Sequence, residues 1–542
     1  MKAKNILVAL SLFGVGMLSS CESMLDIEPQ SYYIKDKFFK DADQAEMSVK
    51  GIYDVLSTKY TYSHLLSLNY PMDNDISFMK GATFNNDNRL IAHYTVTPTT
   101  SLVERTWGYL YKGVENANVA IEGIHSMDLY KNGTDASKKR LFQLEAEAKF
   151  MRAFLYFDLV RLWGDVPLKT TATVTSDDYS IERSDRDLVY AQIIKDLREA
   201  KSLLGEDTGY QNDRVSQGAI SGYIVRALLY RAGYYLAADG NMKRSPDYLT
   251  YYKEAAVEAK ELMDRGTHDL LDDYEQLFKN LAIFKQDAKE NLFEIAFFNA
   301  SHGTQDAGII GTWNSPLVKA GKYGRANAYV QVVPTFKDEF EGLDQRRDVS
   351  VADFTIDADG SHKSIGEGKP FYPGKWRRDW IAEPAQNPNN TNVNWCTLRY
   401  ADVLLMFAEA VNEVRDDLPA GITLQDGFDA INKVRKRAGV IDVENTLDHN
   451  DFLLAIQKER KLELCFEGWR KYDLIRWNLL DTKIKETQAK MNAEYPSANS
   501  TGNQIGYLAG NHFEANKHEL LPIPQREIAE NNKLKEHQNP KY

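Results

Sequence analysis

Glu459, Glu463 and Glu467 stand four residues apart, a spacing that would line three carboxylates along one face of a helix. Paired carboxylates hydrolyse glycosides, and neighbours at this spacing could reach the separation of about 5 Å that a retaining mechanism needs. The two groups must flank the scissile bond, however, and side chains projecting from one helical face do so poorly. Arg460, Arg470, Asp473 and Arg476 follow close by in the chain. The stripe is therefore expected to form ion pairs that fix how its helix packs. Asp357-Ala358-Asp359-Gly360 matches part of a calcium loop, but the first and twelfth ligand positions would be Thr355 and Gly366, so a turn is expected. The ten histidines are scattered, and none sits with cysteines at zinc spacing. Nucleophile-elbow, H-E-x-x-H and phosphate-loop motifs are missing. The sequence thus predicts no enzyme, no cofactor and no metal centre.

The other reactive position is Cys21. Lys2 and Lys4 precede an apolar stretch from Ile6 to Leu18, shorter than the roughly 20 residues a spanning helix needs. Leu18-Ser19-Ser20-Cys21 follows, in the manner of a bacterial lipobox. Residues 1–20 are read as a signal peptide cleaved before Cys21. The cysteine would then carry a diacylglycerol on sulfur and an acyl group, such as palmitate, on its freed amine. More than one acyl chain gives the stable anchoring that a single chain does not.

Hydrophobic residues at 43% and charged residues at 27% are those of a globular body. The net charge of -12 becomes -14 once the leader, with two lysines and no acid, is removed. That surface argues against nucleic acid. It suits a neutral ligand better than an anionic polymer, with a local basic pocket left open. Cys396 and Cys465, beside Phe466 and Trp395, are expected as free buried thiols. The chain holds 30 Tyr, 23 Phe and 8 Trp, enough to fill a core and still furnish loops that stack on sugar rings.

Helical periodicity covers 103–124, 145–163, 185–204, 216–238, 248–265, 399–415, 425–438 and 450–480. Phe150, Met151, Phe154, Leu155 and Leu159 form the stripe of the second of these, which Gly164 and Pro167 end. Trp107 and Trp163 lie on such stripes and should be structural. Small residues (Ala227, Ala255, Ala259, Ala408, Ala410, Ala430) fall where helices must approach, as in tetratricopeptide-like helix pairs with a period of about 34 residues. Between 266 and 398 the pattern fades into segments rich in Gly, Asn, Pro and Trp, with a strand at 291–298. The expected fold is mainly α: a helical scaffold with tetratricopeptide-like pairs, plus an irregular, loop-rich ligand-binding region with a few short strands. Its divisions are an N-terminal helical part over 21–265, the loop-rich insertion over 266–398 and a C-terminal helical part over 399–542, in one body.

Five blocks then carry a family resemblance. They are Glu147 to Leu168; Arg399 to Leu405 with Ala408-Glu409-Ala410; Ile431 to Gly439; Glu459 to Trp477; and Leu521 to Pro524 with Asn539-Pro540-Lys541-Tyr542. In this order, with the lipobox and Leu25-Asp26, the chain resembles the SusD/RagB lipoproteins. The resemblance implies an outer-membrane lipoprotein facing the cell exterior, bound to the membrane by lipid. It would bind an oligosaccharide or polysaccharide without cleaving it and deliver it to a SusC-like TonB-dependent barrel transporter. The same scaffold binding peptides, or serving as a lid with little affinity of its own, are the alternatives. The family places its ligand in variable loops, here 70–89 and 299–329. Asp73, Asn74, Asp75 and Arg89 are expected to bind hydroxyls, with Trp313, Tyr323, Tyr329 and Trp380 as stacking platforms. Cys21→Ala should leave the fold intact and release the protein from the membrane. A variant that still fractionates with outer membranes when the transporter is missing would show that lipid is not the main anchor.

Overall fold

Side-chain caps start several of the helices. The Asp41 carboxylate accepts from the Gln44 amide to open α1 (Ala42–Leu56). Thr134 opens α3 (Asp135–Trp163), and Gly164, at φ 73°, closes it. Between them lies α2 (Ser101–Ser126). The run continues through α4 (Arg186–Leu204), α5 (Gln217–Ala232), α6 (Tyr248–Asp264) and α7 (Tyr400–Glu413). It ends with α8 (Leu424–Ala438), α9 (His449–Glu463) and α10 (Arg470–Arg476). The computed structural model describes residues 38–542 except 82–86, 175–179, 206–212, 288, 298–307, 367–369, 382–388, 390, 392, 495–506 and 508. Cys21 and Leu25-Asp26 lie outside the described residues.

From α1 to α8 each helix packs on the next, and α9 returns to α7. Alanines 227, 255, 259, 408, 410 and 430 are all buried in these contacts, where a larger side chain would hold the axes apart. The protein is thus mainly helical, as expected. Two predicted helices are shorter than their periodicity. The run at 216–238 stops at Ala232, after which Tyr235–Leu236 pairs with Met242–Lys243. The run at 450–480 breaks after Glu463, because Phe466 (φ 63°) and Gly468 (φ 85°) turn the chain. A Cβ on Gly468 would lie 3.2 Å from the Trp395 ring. Conversely, α3 starts ten residues before its predicted span and is buried on all sides from Leu144 to Trp163. Its polar residues are therefore paired. Arg152 clasps Asp196 at 2.7 and 2.8 Å, and Asp158 accepts from Tyr62 and Arg161.

The chain leaves this array after α6 and rejoins it at α7. Most strands lie in between. The strand β1 (Ser77–Met79) pairs antiparallel with β5 (Val330–Val332). The expected strand at 291–298 is β2 (Asn291–Ile295), antiparallel to β8 (Trp395–Arg399), which runs into α7. A small sheet has the order β7-β6-β3-β4, where β3 is Val318–Gly321, β4 Gly324–Ala326, β6 Phe354–Ile356 and β7 His362–Ser364. Asp357 to Gly360 makes the β6–β7 turn, as expected. Cys396 and Cys465 are free and buried.

Charged side chains join the inserted chain to the array. Glu463 accepts from Arg399 at 2.9 Å, Arg437 at 2.6 Å and Arg346 at 3.1 Å. Glu459 accepts from Arg346 at 2.5 Å and Arg435 at 2.8 Å. Glu467 meets Lys375 and Arg399, both at 2.7 Å, while Glu290 meets Arg399 and Arg437. Asp344 completes the set with Arg346 at 2.8 Å. Five carboxylates thus face five cations, so the cluster is neutral although its side chains are buried. Burial would raise the Glu463 pKa, but Arg437, Arg399 and Arg346 outweigh it and hold that carboxyl well below the usual range. The acid stripe therefore forms ion pairs as predicted, and its carboxylates are closed off from any substrate. Removing one member strands its partners. Glu463→Ala should cost about 3–5 kcal/mol in urea unfolding, and a loss under about 1 kcal/mol would show that the cluster tolerates an unpaired arginine.

Candidate ligand-binding surface

The turn from Pro71 to Lys80 takes its shape from side chains that the sequence offered as ligand groups. Asp73 sits at φ 56°, and its carboxylate accepts from the Met79 amide at 2.8 Å and meets His93 Nδ1 at 2.6 Å. Its carbonyl accepts the Tyr94 hydroxyl at 2.6 Å. Burial would lower the His93 pKa, but Asp73 outweighs that and holds it above the ordinary value. Asn74 accepts from the Ile76 and Ser77 amides at 2.9 and 3.0 Å and donates to the Pro71 carbonyl at 2.8 Å. Asp75 receives a two-point contact from Arg470, at 2.8 and 2.7 Å, that ties the turn to α10. All three residues are buried. Their oxygens are thus engaged by backbone amides, His93 and Arg470, which gives these side chains a part in shaping the turn. Arg89 is half-buried, with Nε donating to the Lys80 carbonyl at 3.2 Å and the guanidinium lying over Gly81, where a Cβ would fall 2.7 Å from Cζ.

Pairing of β1 with β5 brings the two nominated segments together. The Lys80 amide donates to the Tyr329 carbonyl at 2.7 Å, extending the ladder by one residue. Trp313 ends a single helical turn, Ile310–Trp313, whose Thr312 carbonyl accepts from the Asn327 and Ala328 amides. The Trp313 and Tyr329 rings are tilted against each other with centroids 4.4 Å apart, both half-buried. Met72, Met79, Ala92 and Val330 support them from below. The edge of His64 meets Trp313 at 4.3 Å. Sequence reasoning missed His64, since a lone histidine carries no motif. Its Nε2 is buried without a hydrogen-bond partner, and burial lowers its pKa to about 3, so the imidazole is neutral.

Tyr323 lies in the β3–β4 turn, with Lys322 Nζ 4.7 Å from its ring centre, next to Val318, Ala326 and Ile356. Arg378 links this hairpin to the Trp313 turn. Its Nε donates to the Tyr323 carbonyl at 2.6 Å, and its Nη1 donates to Thr312 Oγ1 at 3.1 Å and the Arg325 carbonyl at 2.8 Å. Trp380 belongs to another cluster. It packs against Tyr274, Phe278 and Cys396 with the Arg377 guanidinium 4.6 Å from its ring, and like Trp313 it also borders the main core. The surface therefore offers apolar ring faces, a neutral imidazole and nearby cations, a combination suited to binding rather than bond cleavage.

The fold has counterparts among known proteins. A model of the SusD family matches residues 289–542, and a second model, described as starch-binding associating with outer membrane, matches residues 25–229. The crystal structure of a SusD homolog from Bacteroides thetaiotaomicron superposes with a TM-score of 0.82 at 31% identity, covering 94% of this chain and 98% of that one. This chain belongs to the SusD family. Another member, SusD-like protein P25 of Formosa agariphila, is 26% identical over 535 residues, spanning 90% of this chain and 92% of the relative. A laminarin-binding SusD-like protein has the same fold, with a TM-score of 0.70 at 23% identity over 93% of this chain and 100% of the other. So does surface glycan-binding protein A from Bacteroides thetaiotaomicron in complex with laminarihexaose, with a TM-score of 0.67 at 21% identity over 92% and 99%.

If Asp75 serves the fold of this SusD-family chain, Asp75→Ala should lower stability by about 2–4 kcal/mol, because it leaves Arg470 buried and unpaired. Thermal and urea unfolding check this. A variant as stable as the parent would return Asp75 to the candidate ligand groups.

Proposed function

We propose that this chain binds an oligosaccharide or polysaccharide at the surface formed by Trp313 and Tyr329, with Tyr323 and Arg89 at its margins. The observation that carries this reading is the half-buried Trp313–Tyr329 pair, assembled where β1 meets β5. Two ring faces held by a packed floor can stack on the C–H faces of a pyranose at little cost in side-chain entropy. Neutral His64 packs against Trp313, and its protonation state does not change near neutral pH. Family membership supports a glycan ligand, as do same-fold neighbours described as binding laminarin or laminarihexaose.

The action is binding without catalysis. The carboxylates that could have served hydrolysis, Glu459, Glu463 and Glu467, are buried in ion pairs instead. The protein is held at the outer membrane, facing outward, by acyl chains on Cys21. No helix among the described residues is long and apolar enough to cross a membrane, which fits a lipid-anchored protein. Bound glycan passes to a SusC-like TonB-dependent transporter, a step that rests on the family resemblance.

Calorimetry on the mature protein with a panel of plant, microbial and host oligosaccharides, together with mixed peptides, tests the reading. Binding to one glycan class is expected, with Trp313→Ala weakening it by about 1–3 kcal/mol. Binding to peptides alone would overturn the glycan assignment. Unchanged affinity in a folded Trp313→Ala variant would move the site elsewhere.

A further inference from the structure

Arg378 is a buried charge with no counter-ion among the described residues. Its side chain is fully buried, as are those of Arg226, Arg346 and Arg399. Each of those three meets at least one carboxylate. Arg378 meets none among the described residues. Its acceptors are two backbone carbonyls and the Thr312 hydroxyl, and its Nη2 is buried with no partner. Burial alone lowers its pKa to about 10, so it stays cationic at neutral pH. An unpaired ion inside a protein costs several kcal/mol, and its field reaches far through the low-dielectric surroundings.

Arg378 holds the backbone carbonyl of Arg325, whose own side chain is exposed. That side chain donates to the Asn389 side-chain oxygen at 3.0 Å and forms no ion pair among the described residues. Lys322 is exposed beside Tyr323, and Lys80 and Arg89 stand at the Tyr329 end. Of the carboxylates close to this hairpin, Asp357 is matched with Lys319 and Asp379 with Arg377, while Asp359 lies by Lys322 and offsets part of its charge. A chain of net charge -12 thus presents a positive patch beside its aromatic pair.

We infer that the glycan bound here carries an anionic substituent, a carboxylate or a sulfate ester, that Arg325 contacts while buried Arg378 supplies a fixed positive field. This departs from the expectation of a neutral ligand, takes up the local basic pocket that the sequence left open, and rests on the glycan-binding reading above. Lys322 adds to the attraction at the Tyr323 end.

Affinity electrophoresis of the mature chain tests the inference, with polygalacturonate and its carboxyl-reduced form, fucoidan and its desulfated form, and neutral laminarin and starch. One acidic polymer should retard the protein at least tenfold more strongly than its neutralised counterpart, the scale of one charge-assisted hydrogen bond. The polymer that does so separates carboxylate from sulfate recognition. Arg325→Gln should remove most of that preference, and added salt should weaken binding to the acidic form more than to the neutral one. Arg378→Met should act in the same direction if it folds, but exposed Arg325 carries the test. Equal retention by acidic and neutralised forms, or by neutral polymers only, would overturn the inference and leave glycan binding standing. Retention by none would overturn both.

Discussion

The neutral cluster of buried ions around Glu463 is the constraint on which the other parts depend. Glu459 and Glu463 belong to α9, Glu467 to the turn after it, and Arg435 and Arg437 to α8. Their partners Glu290, Asp344, Arg346 and Lys375 come from the chain inserted between α6 and α7. Such ions gain little over a well-packed apolar core, because desolvation consumes most of their attraction. What they impose is geometry. Arg399 reaches Glu290, Glu463 and Glu467 from a single position, so the insertion satisfies its charges in one seating on the array.

That seating has consequences at the ligand surface. Strand β8 carries Arg399 and pairs with β2, which anchors both ends of the insertion. At the far side β5 meets β1, and the Asp75–Arg470 contact ties the β1 turn to α10. Trp313 and Tyr329 sit beside the β1–β5 ladder, half-buried and tilted against each other. A second buried set, in which Asp402 lies between Arg226 and Arg460, joins the early helices to the late ones. Burial works against ionisation of Asp402, yet Arg460 and Arg226 hold its pKa down to about 2. The scaffold is charged through its interior, and the rings sit where that scaffold ends.

Much of the helical array was readable because periodicity and end signals agree, as at Gly164, which closes α3 where the sequence ends it. That Glu459 and Glu463 form ion pairs was readable from their spacing and surroundings, but their partners were not. Arg346, Arg399, Arg435 and Arg437 reach them from distant positions, while nearby Arg460, Arg470 and Arg476 pair with other carboxylates. The break at Phe466 was not readable either, because a positive φ at phenylalanine follows from tertiary packing and leaves no local trace. Asp73, Asn74 and Asp75 look identical in sequence whether their oxygens face a sugar or backbone amides. Only the fold shows that a turn consumes them. Nor could the solitude of Arg378 be read from its neighbours, since Asp379 is adjacent in sequence yet pairs with Arg377.

Hydrogen exchange followed by mass spectrometry on Arg346→Met tests the central claim most directly. That change preserves volume and removes one cation shared by Asp344, Glu459 and Glu463. Faster exchange is expected in peptides covering 310–332 and 351–380, with α2 to α5 protected as in the parent. Uniform exchange across the chain, or none beyond the parent in the insertion, would contradict the idea that these buried ions seat the ligand surface.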